Sequence, residues 1–450
     1  MTYRPPDSII EHRLARAFSE GRLRQLARST GLVERQGKLD AAALFWALTL
    51  GFAVGEDRSI EALRQSYLQF VGGEFSLTYA SFHGWFATSL TAFLHKVLDQ
   101  ALEDLSQHST DRFDGRLDRF RDVLISDTIV ITLYQSPIDA YPGSGDEHAG
   151  AKLHLVESVS TGLPTQFSVT DARTHESTQL STGQWLSGSL LLYDQGYFDY
   201  RTMDLIDANN GWFVTRLKPN ANPWIVEELR EWRGNAIPLT GRQLHDVLDD
   251  LHRDVIDVRV KMSFRRRSYN GSRSGATRTF RIVGVWNDDA EKYHLYVTNL
   301  PVTDYSAADI AQLYRARWEV ELLFKELKST CNLDQVPTSN PVAVEALILV
   351  ALISLVVSRV LLDLLREMVD REAALSGTTT SRHVSRCGDG RGYSVATVAL
   401  ILRRNASWLG YDPPEERLLE LLLAAAIDPN PHRPSLIEDV QHGAFVRELA

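Results

Sequence analysis

A chain of 450 residues that is 44% hydrophobic and 24% charged can bury one large core with appended units, which excludes a disordered or fibrous protein. The net charge of −10 argues against a general nucleic-acid coat, because duplex binders usually carry basic fields. Cys331 and Cys387 are isolated, so neither a zinc spacing nor a disulfide framework is present, and a reducing compartment fits.

The first residues, MTYRPPDSIIEHRLARAF, are polar and lack the apolar stretch of a secretory leader. Apolar residues then recur at helical spacing through Ile9–Thr30, Leu39–Val54, Ser59–Phe70 and Ala80–Leu105. Residues 1–115 therefore form an expected helical N-terminal domain. Ser76–Leu98 suits the second half of a helix-turn-helix, so this domain is either a plain bundle or a DNA-end recognition module.

At 121–134, RDVLISDTIVITLY, β-branched and apolar residues predict a strand buried on both faces. Asp127 sits in its middle, where a bare carboxylate is costly. It either caps a turn or binds a metal. Ala151–Ser158 and Pro164–Asp171 read as a hairpin around Thr161-Gly162. Glu176–Trp185 reads as a short helical segment. Ser189–Tyr193 is another apolar strand that runs into Asp194-Gln195-Gly196-Tyr197. An acid just past a buried strand is a helix cap or, in open α/β sheets, a ligand-binding group.

Phe198–Asn209 predicts a helix and Trp212–Leu217 a strand. Strands follow at Val255–Phe264, Thr277–Trp286 and Tyr293–Leu300. Between Val258 and Arg281 stand Arg259, Lys261, Arg265, Arg266, Arg267, Arg273, Arg278 and Arg281, with no acid among them. Such a run is a solvated hairpin or a phosphate-contacting ribbon, and clustered cations without sequence partners favour phosphate. Arginine supplies 40 of the chain's 48 cations, and its fork suits phosphate oxygens better than lysine does.

Ile310–Thr330, IAQLYRARWEVELLFKELKST, has no Gly or Pro and predicts one continuous helix. At about 100° per residue, Tyr314, Arg317, Lys325 and Lys328 fall within about 40° of Glu321. The stripe is either a salt-bridge ladder or a metal-binding carboxylate flanked by phosphate-gripping cations. A buried helix is expected over Val342–Asp363; its most apolar run, Ala346–Val357, is 12 residues, too short for a bilayer. The Gly-rich segment 376–392 reads as a linker, and Val395–Trp408 and Glu415–Ala425 as helices. No membrane partner is expected.

Asp127, Asp194 and Glu321, delivered by two strands and a helix, are suited to converge on hard divalent cations. Tyr314, Arg317, Glu321 and Lys328 carry the spacing Tyr-x2-Arg-x3-Glu-x6-Lys. With Asp127-Thr128 in an apolar strand and Asp194-Gln195-Gly196-Tyr197, the sequence resembles DDE transposases of the prokaryotic insertion-sequence family four, the YREK group, from about Asp122 to Asp363. Gln195 stands where Arg is common in that family.

The resemblance implies an α/β fold: an RNase H-like catalytic core at 116–375 with a β-rich basic insertion at about 212–300. A linker and helical C-terminal region at 376–450 follows, a candidate dimerisation interface by elimination. It implies cut-and-paste transposition with two Mg²⁺ or Mn²⁺ ions held by Asp127, Asp194 and Glu321. It assigns DNA contacts near the cut to Tyr314, Arg317 and Lys328; the basic run itself makes Arg265, Arg266 and Arg267 candidate DNA contacts. A base-stacking aromatic is implied near His294 or Trp286. The implied partners are double-stranded DNA, as terminal inverted repeats and target, and a second copy in a synaptic homodimer, in a prokaryotic cytoplasm at the nucleoid. A domesticated DNA-binding protein and an RNase H-like nuclease without strand joining remain as alternatives. Three acids favour an active enzyme, because a pure binder has no use for groups that repel phosphate.

Overall fold

The computed structural model describes residues 9–375 apart from 36, 38, 55–57, 73–75, 109–112, 114, 135–138, 146–147, 233–234, 237, 249–250, 252, 270–271, 330–332, 334–335, 337 and 339. The linker, the two C-terminal helices and both cysteines lie outside the described residues.

The helical N-terminal part is more divided than its periodicity suggests. Ile9–Thr30 splits into α1 (Ile9–Phe18) and α2 (Glu20–Ser29), because the Ser19 hydroxyl caps a new helix by accepting from the Arg22 N–H. α3 (Ala41–Val54) is apolar on every side and buries Phe45, Leu48 and Phe52. α4 (Ile60–Val71) is capped by Ser59 and stopped by Gly72 at φ 67°. The expected Ala80–Leu105 helix is two pieces, α5 (Tyr79–His83) and α6 (Thr88–His108).

The sheet begins with β1 (Asp122–Leu133), β2 (Ala149–Ser158) and β3 (Leu163–Asp171), an antiparallel meander. Two 3₁₀ turns, rather than a helix, occupy Glu176–Thr178 and Gln184–Leu186. β4 (Ser189–Tyr193) then lies parallel to β1, and after α7 (Tyr200–Ala208), β5 (Trp212–Arg216) lies parallel to β4. Leu190 and Leu192 of β4 join one core while Leu191 and Tyr193 join the other, which is why SLLLY is an unbroken apolar run.

The remaining strands, apart from the β7–β8 pair, extend this same sheet. They are β6 (Trp224–Glu228), the separate two-residue pair β7 (Glu231–Trp232) and β8 (Asn235–Ala236), then, after α8 (Leu244–Leu248), β9 (Val255–Tyr269), β10 (Ser272–Asn287) and β11 (Lys292–Thr298). The order is β3-β2-β1-β4-β5-β11-β10-β9-β6, so a mixed α/β fold is present and the added strands join through the β5–β11 seam. β5 itself belongs to the parallel set. The segment Tyr269–Gly275, expected as a loop, is mostly strand, with Ser272 opposite Tyr269.

Ile310–Thr330 is not one helix. α9 (Ala307–Arg315) ends in a 3₁₀ turn at Ala316–Trp318 before α10 (Glu319–Ser329) begins. The single-wheel placement therefore fails across residue 316, since a 3₁₀ turn has about three residues per turn. α11 (Pro341–Leu375) is longer than expected and packs on α1, α3 and α6. Its Pro341–Leu361 stretch is long and apolar enough to cross a membrane, yet 83% of its apolar window is buried inside the protein. Length alone was a poor guide there; the apolar faces of α3 and α6 explain its composition.

Candidate active site

The register of the parallel strands brings two acids together. Ser126 of β1 lies opposite Tyr193 of β4, so the next residue on each strand, Asp127 and Asp194, project side by side at the same end of the sheet. Asp127 shares its face with Ile125 and Ile129, the face covered by the helices. Asp194 directly follows β4 and accepts from the Gly196 N–H at 3.4 Å, so it is also a cap.

The α9–α10 segment supplies the third acid and the cation between them. Arg317 sits on the 3₁₀ turn, buried to 7% exposure. Its guanidinium bonds Asp127 Oδ2 through Nη1, donates to Glu321 Oε1 through Nη2 at 3.4 Å, and places Nε 4.0 Å from Asp194 Oδ1. Tyr314 on α9 donates its hydroxyl to Asp194 Oδ1 at 3.3 Å, and its ring lies 5.2 Å from that of Tyr296. Burial pushes the Asp127 carboxyl up to about 6, Arg317 pulls it back, and Asp194 and Glu321 push it further up. Burial, reinforced by Asp194, likewise lifts the Tyr314 phenol.

Three carboxylates are the donors a hard divalent ion takes. Among the described residues, however, no three acidic, His or Cys side chains lie close enough together to hold one ion, and Arg317 stands between the acids. The donor types fit a metal; their spacing is set by the guanidinium.

A second layer on the opposite face was missed by sequence reasoning. The Thr128 hydroxyl donates to Glu176 at 3.2 Å, and Lys152 Nζ approaches the same oxygen at 3.4 Å. A Cβ at Gly196 would overlap the Glu176 carboxylate, so the glycine leaves room for it. Tyr197 donates its hydroxyl to the Asp127 carbonyl at 3.1 Å and approaches His154 at 3.4 Å. Glu176 thus touches the neighbours of both strand acids. A lone Glu in a loop carries no local signal; only the Gly in Asp-x-Gly hinted at a close approach.

The other expected residues scatter. Lys328 is on α10 and exposed. The basic ribbon is far from the acids. Tyr193 is level with Thr215, Val297, Ile282 and Val258 across the sheet, and Arg265 lies seven positions along β9 from Val258 (265 − 258), away from Asp194. At about 3.3 Å per residue that is about 23 Å. The ribbon's cations are also less free than their sequence implies. Arg266 and Arg278 share the buried Asp204, Arg281 is buried against Asp257, and Arg259 pairs with Glu227. All these partners come from outside the basic run or its edge, so local sequence could not show them. Arg265 and Lys261 are exposed, while the side chain of Arg267 lies outside the described residues.

His294 and Trp286 are on the β10–β11 hairpin at the acid end. His294 shares the face of Tyr296, whereas Trp286 is on the other face and donates Nε1–H to Asp288 at 3.0 Å. A further aromatic, Trp318, is 56% exposed and lies 5.7 Å from the Arg317 guanidinium.

The chain matches the family described as "Transposase DDE domain" over residues 118–357, more than half its length. It is 25% identical over 248 residues to the transposase for insertion sequence element IS231E of Bacillus thuringiensis subsp. finitimus, covering 47% of this chain and 50% of that one. The IS231F transposase of subsp. israelensis is 23% identical over 283 residues, covering 56% and 59%. The chain thus spans about half the length of these relatives. A 74-residue segment is 38% identical to the putative transposase InsL of IS186A from Escherichia coli K12, covering 16% and 20%. A solved piggyBac transposase synaptic complex with hairpin DNA overlaps 94% of this chain and 86% of that one at 11% identity and a TM-score of 0.41, too loose to carry an argument.

Proposed function

The chain belongs to the transposase DDE domain family, and on that premise we propose that it is the DNA transposase of an insertion sequence, of the YREK group, acting by cut and paste. The observation that carries this reading is the convergence of Asp127, Asp194 and Glu321 on one guanidinium. The strand order β3-β2-β1-β4-β5, with β4 and β5 parallel to β1, supports an RNase H-like core.

In this reading Asp127, Asp194 and Glu321 hold two Mg²⁺ or Mn²⁺ ions, which supply charge stabilisation at the attacking and leaving oxygens of an in-line displacement. Tyr197 fixes the main chain that carries Asp127, and Tyr314 aims Asp194. Lys328 and Arg317 grip phosphates beside the cut. Water adds to the phosphorus at the element's end while the bond to the 3′ oxygen breaks and that oxygen takes a proton. The freed 3′-hydroxyl then attacks a target phosphodiester, losing its proton as its oxygen bonds to phosphorus, while the bond to the target strand's 3′ oxygen breaks and that oxygen takes a proton.

Residues 1–115 bind the transposon end, 116–375 perform the chemistry, and 376–450 serve pairing of two copies. The protein works in the cytoplasm at the nucleoid. The test offers the purified chain a duplex bearing its own element's terminal inverted repeats with Mg²⁺. End cleavage and joining are expected, and Glu321→Gln should lose at least about 100-fold in rate. Cleavage unaltered by Glu321→Gln overturns the reading; cleavage without joining makes the chain a nuclease.

A further inference from the structure

We propose that Arg317 is an internal counter-cation that must be traded from the three acids to a DNA phosphate before they take up divalent ions, so that DNA binding gates metal loading. This rests on the functional reading above, because it needs both the metal and the DNA.

The geometry sets the two states in competition. Arg317 engages one oxygen from each acid: Asp127 Oδ2, Asp194 Oδ1 and Glu321 Oε1. A cation bridging the same carboxylates competes for the same oxygens. A guanidinium does not deprotonate in proteins, so raising the pH cannot release it. Its side chain is 9% exposed and that of Asp127 17%, so solvent screens this pair little, while Asp194 and Glu321, each 42% exposed, face solvent.

The hold is strong but incomplete. Nε has no hydrogen-bond partner, and its 4.0 Å approach to Asp194 is too long for one. One donor is therefore buried without a partner at the centre of the cluster, a cost that a new acceptor would remove. Arg317 also sits on the three-residue turn between α9 and α10 rather than within a helix, and a mid-helix 3₁₀ stretch is a common hinge. Beside it the exposed Trp318 marks the side open to solvent.

A phosphodiester supplies what the guanidinium lacks, two oxygens for a bidentate contact. Once Arg317 turns outward, three carboxylates stand without their cation and attract divalent ions. Each step thus favours the other, which is thermodynamic coupling and is reciprocal.

The test measures Mn²⁺ binding by titration calorimetry to the full chain, alone and with a duplex carrying its terminal inverted repeat. Wild type is expected to bind Mn²⁺ at least about tenfold more tightly with the duplex than without it. Arg317→Ala and Arg317→Gln should each bind Mn²⁺ without DNA at least about as tightly as wild type with DNA, while Glu321→Gln should weaken binding in both states. If wild type binds Mn²⁺ equally well with and without DNA, the gate is refuted while the transposase reading stands. An Arg317 variant that gains no affinity without DNA refutes it equally. If no form binds Mn²⁺ even with duplex, the metal assignment itself falls. The wild-type comparison needs no substitution, so it can refute the gate even if both Arg317 variants misfold.

Discussion

Gly196 leaves the space that the Glu176 carboxylate occupies, beneath the turn that carries Asp194. Gly196→Ala should destabilise the protein by about 1–3 kcal/mol in thermal unfolding, the usual range for overpacking, and the double variant with Glu176→Ala should recover part of it. His154 offers a pH test. It is 3% exposed, and burial, with Lys152 adding, lowers its imidazole to about 4 from the ordinary 6.5. The folded state therefore prefers the neutral ring. Its contribution is present above pH 6.5 and is lost as pH falls toward 4. His154→Gln should flatten stability against pH across that window; an unchanged slope in urea unfolding would disprove the assignment. At this scale the sequence was informative where chemistry was concentrated. Asp127 stood out as a charge in an apolar strand. Glu176 did not, because what makes it matter is the three neighbours that folding brings to it.

Elements were legible where their cause was local, and less so where it was not. SLLLY announced β4 because both its faces are buried. The break between α9 and α10 had no Gly or Pro to announce it. α9 starts from a reciprocal cap in which the Ser306 hydroxyl accepts from the Asp309 N–H and the Asp309 carboxylate accepts from the Ser306 N–H. Ser306→Ala should lower stability by about 1 kcal/mol and, by loosening the helix that aims Tyr314, reduce end cleavage. The partners of the basic run were hidden for the same reason of distance. Arg281 is bonded to Asp257 through Nε at 2.8 Å and Nη2 at 2.6 Å, both side chains 4% exposed, so it holds β10 to β9. Removing one partner, as in Asp257→Ala, should cost about 3–5 kcal/mol in denaturant unfolding. Replacing both with apolar residues of similar volume should cost much less. A pair that added independently would contradict this.

For the whole molecule, one sheet carries both the strand-borne acids, Asp127 and Asp194, and the ribbon, at opposite ends of its strands. Arg265 lies about 23 Å along the strands and, four strands over at about 4.8 Å each, about 19 Å across them, about 30 Å in all from the end of β4; if it contacts phosphate, it does so about nine base pairs of duplex away at about 3.4 Å each. Arg265→Ala should therefore reduce the slope of log affinity against log salt by up to about one for a long end duplex. It should have no effect on a duplex cut to about five base pairs beyond the cleavage site. An equal effect on both duplexes would place the ribbon elsewhere on the DNA.

The long apolar α11 has a consequence during synthesis. The helices that bury it, α1, α3 and α6, leave the ribosome more than 230 residues earlier (341 − 108 = 233), at about 5–20 residues per second. For at least ten seconds their apolar faces lack the helix that closes the core. A nascent chain arrested before residue 341 should therefore bind chaperones or aggregate, and release on completion of α11 should end that exposure.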